Sequence, residues 1–126
     1  MPHLVLEYSA NVVDAPDFKV LFRELHETLL EFESFGLLDI KSRAVRHTDY
    51  CVGDGDPRHA FVHLNFQLLS GRDVSVRQRM MQACVKVLSK HFARSLEHLE
   101  CQLSVEMREM DRSTYCKHKP VSASGC

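Results

Sequence analysis

The chain opens with a period of two. Leu4, Leu6 and Tyr8 alternate with His3, Val5 and Glu7, the pattern of a half-buried strand that begins almost at the first residue. The period then lengthens. Phe18, Leu21, Phe22, Leu25, Leu29 and Phe32 recur at spacings of three and four, while Glu24, Glu27, Glu31 and Glu33 lie mostly off that stripe. This predicts an amphipathic helix of about five turns. Asp14-Ala15-Pro16-Asp17 reads as its start, with Asp14 as the cap, and Gly36 as the residue that ends it.

The same order then repeats. From Leu38 to about Tyr50 the pattern is extended, with Ile40, Ser42 and Ala44 opposite Lys41, Arg43 and Val45. Val52-Gly53-Asp54-Gly55-Asp56-Pro57 is dense in turn formers and predicts an exposed loop. Ala60, Val62, Leu64, Phe66 and Leu68 form one face of a third strand, with His63, Asn65 and Gln67 on the other. A second helix follows Ser70-Gly71-Arg72-Asp73, capped by Asp73 or Ser75, with Met80, Cys84, Val87, Leu88 and His91 or Phe92 as its stripe. Leu103, Val105 and Met107 alternate in a fourth strand, and about 112–126 is a polar tail.

Strand–helix–strand, twice over, predicts an α+β fold. Two consecutive β-α-β units, each a right-handed crossover between parallel strands, give a four-stranded mixed sheet with two helices on one face. The other face, carrying Val5 or Leu4 with further apolar side chains, has nothing in the monomer to cover it. A closed homo-oligomer is the economical way to bury such a face.

Composition narrows the class. The 126 residues make one domain, and 44% apolar with 26% charged residues is ordinary for a globular protein. A net charge of −1 gives no electrostatic case for nucleic acid or a membrane surface. No apolar run reaches the roughly 20 residues of a membrane span, and no signal peptide is expected. Cys51, Cys84, Cys101, Cys116 and Cys126 are odd in number, widely spaced and without a CxxC, which points to free thiols and a cytoplasmic setting.

The candidate chemistry starts at Pro2. Once Met1 is removed, the terminus is a secondary amine on a rigid ring at the end of a strand. An α-amino group titrates near roughly 7.7–8.0, and burial or neighbouring cations lower it toward neutrality. Such a base suits proton abstraction next to a carbonyl. Read without chemistry, Pro2 merely starts an edge strand, where its missing N–H costs nothing. His59 and His63 lack a third ligand at metal spacing, so no metal site is expected, and Cys116-Lys117-His118 is weaker still. His3 either tunes the site or points to the opposite sheet face. Cys84, Met80 and Met81 read as core.

Met1-Pro2-His3, Ile40-Lys41-Ser42-Arg43, Ala60-Phe61-Val62-His63, Gly71-Arg72, Lys90-His91-Phe92-Ala93 and Leu103-Ser104-Val105-Glu106-Met107 together resemble the tautomerase superfamily. Within it, the chain is most similar to the 5-carboxymethyl-2-hydroxymuconate isomerases, from Pro2 to about Lys119. The resemblance implies a cytoplasmic homotrimer with its three sheets around a central barrel, and a free Pro2 amine as general base. It implies allylic ketonisation of an unsaturated 2-hydroxy polycarboxylic acid, without metal or organic cofactor, in the catabolism of homoprotocatechuate or a related aromatic acid. Pro2, Arg72 and Arg43 are then the expected catalytic residues, with Lys41 and Arg72 binding the substrate.

Arginine presents a planar fork that holds a carboxylate bidentately, and backbone N–H groups of Asp73 to Ser75 are placed to add anion contacts beside Arg72. The chain departs from the family pattern at one of these positions: Lys41-Ser42-Arg43 stands where Arg-Ser-Arg is expected, so the first cation keeps its charge but loses the fork. A non-catalytic trimeric binding or signalling module on the same fold is the alternative, and dehalogenation or hydration of unsaturated acids a more remote one.

Overall fold

The computed structural model describes residues 2–33 and 35–120. Seven main elements follow in order: β1 (His3–Ser9), α1 (Phe18–Leu30), β2 (Lys41–His47), β3 (His59–Leu69), α2 (Val74–His91), α3 (Ala93–His98) and β4 (Glu100–Met110). The four strands form one sheet in the order β2-β1-β3-β4. β1 runs parallel to β2, and β3 parallel to β4, while β1 and β3 meet antiparallel at the centre. Each β-α-β unit therefore closes on itself, and the two join back to back in a mixed sheet.

The period-2 pattern sets the sheet faces. Leu4 and Leu6 of β1, with Ala60, Val62, Leu64, Phe66 and Leu68 of β3, are fully or almost fully buried. They pack on Leu21, Leu25 and Leu29 of α1 and on Met80, Cys84 and Leu88 of α2, which are buried completely. Those helical positions recur every three or four residues, one per turn along a single stripe. The choice between Leu4 and Val5 for the open face is settled by this packing: Leu4 belongs to the core and Val5 to the opposite side.

That opposite side corrects one expectation. It is largely polar: His3, Glu7, Lys41, Arg43, His47, His63, Asn65, Gln67, Ser104, Glu106 and Arg108 share it by register, with Val5, Val45, Phe61, Leu69 and Met110 among its apolar members. Polar pairs cross it, the half-buried His47 Nε2 to Glu7 Oε2 at 2.9 Å and the exposed His63 Nδ1 to Ser104 Oγ at 2.7 Å. Apolar burial is not what this face offers a neighbour.

The helix boundaries also moved. Asp17, not Asp14, caps α1: its Oδ1 accepts from the N–H of Lys19 at 3.0 Å and of Val20 at 3.4 Å. Asp14 is committed elsewhere, to α3, a helix the sequence pattern did not reveal. Its carboxylate accepts from the N–H of Arg94 at 3.2 Å, the N–H of Ser95 at 2.8 Å and the Ser95 hydroxyl at 2.6 Å. At its other end α1 stops at Leu30, well before Gly36. Phe32 and Phe35 then turn back to pack against the core. Gly36 instead opens the short 3-10 turn Leu37–Asp39, so β2 starts at Lys41 rather than at Leu38.

The tail does not leave the domain at once. Asp111 caps a 3-10 turn at Arg112–Thr114, and the Arg112 Nε donates to the Ser70 carbonyl at 2.7 Å. Beyond it, Lys117 and Lys119 reach Asp39 just ahead of β2. The Ser-Ala-Ser-Gly-Cys ending lies outside the described residues. No described helix is long and apolar enough to cross a membrane.

Candidate active site

One end of the sheet collects the candidate residues. α1 runs back along the strands, so its C-terminal end, the starts of β1 and β2 and the ends of β3 and β4 all meet there. Pro2 sits at this end and is buried. Its carbonyl accepts from the Lys41 N–H at 3.1 Å, which extends the β1–β2 ladder by one bond and fixes the terminus against β2. In phase with Leu4 and Leu6, Pro2 falls on the helix side of the sheet. It is held by the fold rather than left to fray. Met1 lies outside the described residues.

Arg72 occupies the turn between β3 and α2. Gly71, with φ +121°, makes that turn in a region side chains rarely adopt. The Arg72 side chain is only 15% exposed. Its Nη1 donates to the Leu69 carbonyl at 2.9 Å, and its guanidinium lies 4.9 Å from the centre of the Phe35 ring. Glu33 Oε2 stands 3.4 Å from Nε, yet that buried Nε has no aligned hydrogen-bond acceptor among the described residues. A cation so placed, stacked on an aromatic face and incompletely satisfied, is pre-oriented for an anionic ligand.

Lys41 and Arg43 lie on the other face. His3 pairs with Lys41 and Val5 with Arg43 in the parallel register, so both cations project to the open side. An Arg43 Nη stands 3.3 Å from His3 Nδ1. Burial, then Arg43 and Lys41, hold the His3 imidazole below its ordinary pKa, so it is biased toward the neutral form. His3 thus points away from the Pro2 ring, and its neutral imidazole lies beside the Lys41 and Arg43 cations. Lys41 Nζ donates to the Asp39 carbonyl at 2.9 Å, and burial followed by the nearby Lys117 ammonium lowers its pKa.

One chain therefore gathers its four candidates at a single end but on two sides. Pro2 and Arg72 belong to the helix side, Lys41 and Arg43 to the open side. Between the β2 start and the tail opens a cavity of about 520 Å³, lined by Leu37, Leu38, Asp39, Lys41, Lys117 and Lys119 among others. Sequence reading missed Glu33, Phe35, Asp39, Lys117 and Lys119. Only the aromatic and acidic residues clustered just past the helical stripe hinted at the first two.

The remaining candidates pair with neighbouring side chains or lie in the core. His59 pairs with Asp54 at 2.9 Å, and His63 bonds Ser104 and faces Glu106 at 3.5 Å. No cluster of three His, Cys, Asp or Glu suited to a metal ion occurs among the described residues. Cys84 is wholly buried, and burial pushes its thiol up to about 12. Cys51, Cys101 and Cys116 are free thiols as well.

Two β-α-β units sharing a mixed sheet, with a buried proline at the head of the first strand, define a tautomerase-like protein. The likeness extends to a fused 4-OT wild-type symmetric trimer, which superposes with a TM-score of 0.69 over 88% of this chain and 87% of that one, at 15% identity. The chain belongs to the 5-carboxymethyl-2-hydroxymuconate isomerase family, whose sequence model matches residues 2–124. A 5-carboxymethyl-2-hydroxymuconate Delta-isomerase of Escherichia coli is 29% identical over 98% of both chains. A crystal structure of a 5-carboxymethyl-2-hydroxymuconate isomerase from Deinococcus radiodurans R1 is 33% identical, covers 94% of this chain and 90% of that one, and superposes with a TM-score of 0.86. The protein is accordingly an enzyme, an isomerase of this type.

Proposed function

We propose that this isomerase ketonises an unsaturated 2-hydroxy polycarboxylic acid of the 5-carboxymethyl-2-hydroxymuconate type, with the Pro2 amine as its base. The observation that carries the reading is the buried Pro2, bonded to β2 through its carbonyl, at the sheet end that also holds Arg72. With Met1 removed, its nitrogen becomes a secondary amine at a buried residue, and burial favours the unprotonated form.

The reaction is a proton relocation with no change in atoms or oxidation level. The 2-hydroxyl loses its proton as the C–O bond becomes a carbonyl, the diene electrons shift, and a carbon further along gains a proton. Pro2 nitrogen takes the proton at one position and returns it at the other. Charge accumulates on the 2-oxygen and the conjugated carboxylate between those steps. Arg72, already fixed by Leu69 and Phe35, holds that charge with its planar fork, and electrostatic preorganisation of this kind is worth about 10²–10³ in rate per donor. Arg43 is the second catalytic cation, and Lys41 binds a carboxylate.

Because Lys41 and Arg43 project from the open face, the reading includes a homotrimer in which sheets face one another and copies complete one another's sites. Its support is the trimeric relative of the same fold and the nature of the face itself, where polar pairs and an Asn65 Oδ1 with no hydrogen-bond partner among the described residues invite polar neighbours. A cytoplasmic setting accords with the free thiols.

The test begins with the intact mass of untagged protein, which should lack one methionine. Activity on a muconate dienol should then fall by about 10²-fold or more in Pro2→Ala. It should vanish when a lysine inserted between Met1 and Pro2 keeps the proline nitrogen acylated. Arg72→Ala should lose a similar factor. Retained Met1 in active enzyme, or undiminished activity of the extended chain, rules out the proline base and favours the binding-module alternative.

A further inference from the structure

Among the described residues, the Arg72 guanidinium forms its ion pair with Glu33, and the two are poorly aligned. Glu33 Oε2 stands 3.4 Å from Arg72 Nε, yet that buried Nε has no hydrogen-bond acceptor among the described residues. The contact is therefore Coulombic, without the directed N–H···O bond that strengthens a charge-assisted pair. The partners also differ in exposure. The Arg72 side chain is 15% exposed and that of Glu33 34%, so the carboxylate is the more accessible of the two.

Arg72 does not depend on Glu33 for its position. Its Nη1 donates to the Leu69 carbonyl at 2.9 Å, and its guanidinium lies 4.9 Å from the Phe35 ring centre. Its own carbonyl accepts from Arg77 Nε at 3.3 Å. Glu33, in contrast, is held through its backbone: its N–H donates to the Leu29 carbonyl at 3.2 Å, and its carbonyl accepts from the Phe35 N–H at 3.0 Å. Rotation of the Glu33 side chain can therefore release the carboxylate while the turn and the Phe35 ring stay in place. A guanidinium largely out of water is costly when unpaired, and Glu33 offsets that cost in the free enzyme. A second carboxylate arriving at the same cation meets Glu33 as a like charge and a competitor.

We propose that Glu33 is a displaceable counter-ion of Arg72. It neutralises the guanidinium in the free enzyme, and the anionic end of the substrate takes its place, making the aligned bond to Nε that Glu33 does not make. This rests on the reading that Arg72 receives the substrate's negative charge. Glu33 then sets affinity for the anion and leaves the chemical step to Pro2 and Arg72.

The experiment titrates the full chain calorimetrically with tricarballylate, an unreactive saturated tricarboxylate, and follows turnover of a muconate dienol in parallel. Glu33→Gln keeps the size of the side chain and removes its charge. It should bind tricarballylate about 5-fold more tightly than wild type and lower KM by a similar factor, with kcat within about twofold. A carboxylate that merely supported the turn would have the opposite effect, raising KM when lost. Glu97→Gln, which removes a 75% exposed carboxylate from α3 at the other end of the sheet, should change neither quantity. In wild type, the Arg72 Nε–H resonance, identified by its absence in Arg72→Lys, should move downfield as tricarballylate saturates the site.

An affinity for tricarballylate no higher in Glu33→Gln than in wild type overturns the proposal, as does a raised KM or an equal gain in Glu97→Gln. So does an Arg72 Nε–H that tricarballylate leaves unmoved, or a failure of tricarballylate to bind either protein. If no dienol is turned over while Glu33→Gln still binds tricarballylate more tightly and the resonance still moves, the ketonisation reading fails and the counter-ion stands.

Discussion

Asp14 ties the segment after β1 to the start of α3, and its removal has a calculable cost. Its carboxylate serves as the N-terminal cap that α3 lacks locally, from a position 80 residues earlier in the chain. It accepts from the backbone N–H groups of Arg94 and Ser95 and from the Ser95 hydroxyl, which in turn accepts from the Val13 N–H at 2.9 Å. Ser95 is fully buried, so in Asp14→Ala its N–H and O–H lose their acceptor without access to water. Each stranded buried donor costs about 1–3 kcal/mol, and a lost cap about 1 kcal/mol, with some relaxation recovering part of the sum. A destabilisation of about 3 kcal/mol is expected, which is roughly a 10 °C drop in Tm for a domain of this size. Urea unfolding of Asp14→Ala, Ser95→Ala and the double variant measures it directly. Ser95→Ala leaves the backbone cap intact and should cost less, and the cycle should show a coupling of about 1 kcal/mol or more. A loss below about 0.5 kcal/mol in Asp14→Ala, the value of an ordinary surface substitution, would refute the reasoning.

Two other outcomes follow from the packing. The hydrogen bond from Lys117 holds the Asp39 carboxyl below its ordinary pKa, so the stability it lends to tail docking is complete above the ordinary carboxyl range and is lost as the pH falls through the depressed value. NMR relaxation of residues 115–119 should show the tail ordered at neutral pH and loosened only in strong acid, with Asp39→Asn loosened already at pH 7; a tail ordered in both would contradict the pairing. Cys84, its thiol pushed up to about 12 by burial, should resist iodoacetamide at pH 8 in folded protein while the exposed Cys51 and Cys116 are alkylated, and mass mapping of the labelled sites decides this.

The candidate chemistry was partly legible as residue types. Pro2, Arg72, Arg43 and Lys41 stand out because a secondary amine and fixed cations are what an enolising polyanion needs. Their partners were hidden. Glu33 and Phe35 looked like the last turn of a helix, until the chain turned at Leu30 and carried Phe35 under the Arg72 guanidinium. Asp39 and Lys117 are 78 residues apart and carry no shared pattern, yet they sit 2.6 Å from one another.

What the sequence alone determined was everything that rests on neighbours two, three or four residues away. The alternation of β1 and β3 chose their buried faces, and the stripe of Leu21, Leu25 and Leu29 chose the side of α1 that meets the sheet. The repeated strand–helix–strand order then restricted each half to a parallel crossover. Only the tertiary structure decided that β1 and β3 are the strands that meet at the centre, that the open face is polar, and that Asp14 caps a helix from the far half of the chain. The physical reason is range. Side-chain periodicity records which way a residue faces its own element's surroundings, whereas hydrogen bonds and ion pairs between distant segments form only where the folded core has already brought them together.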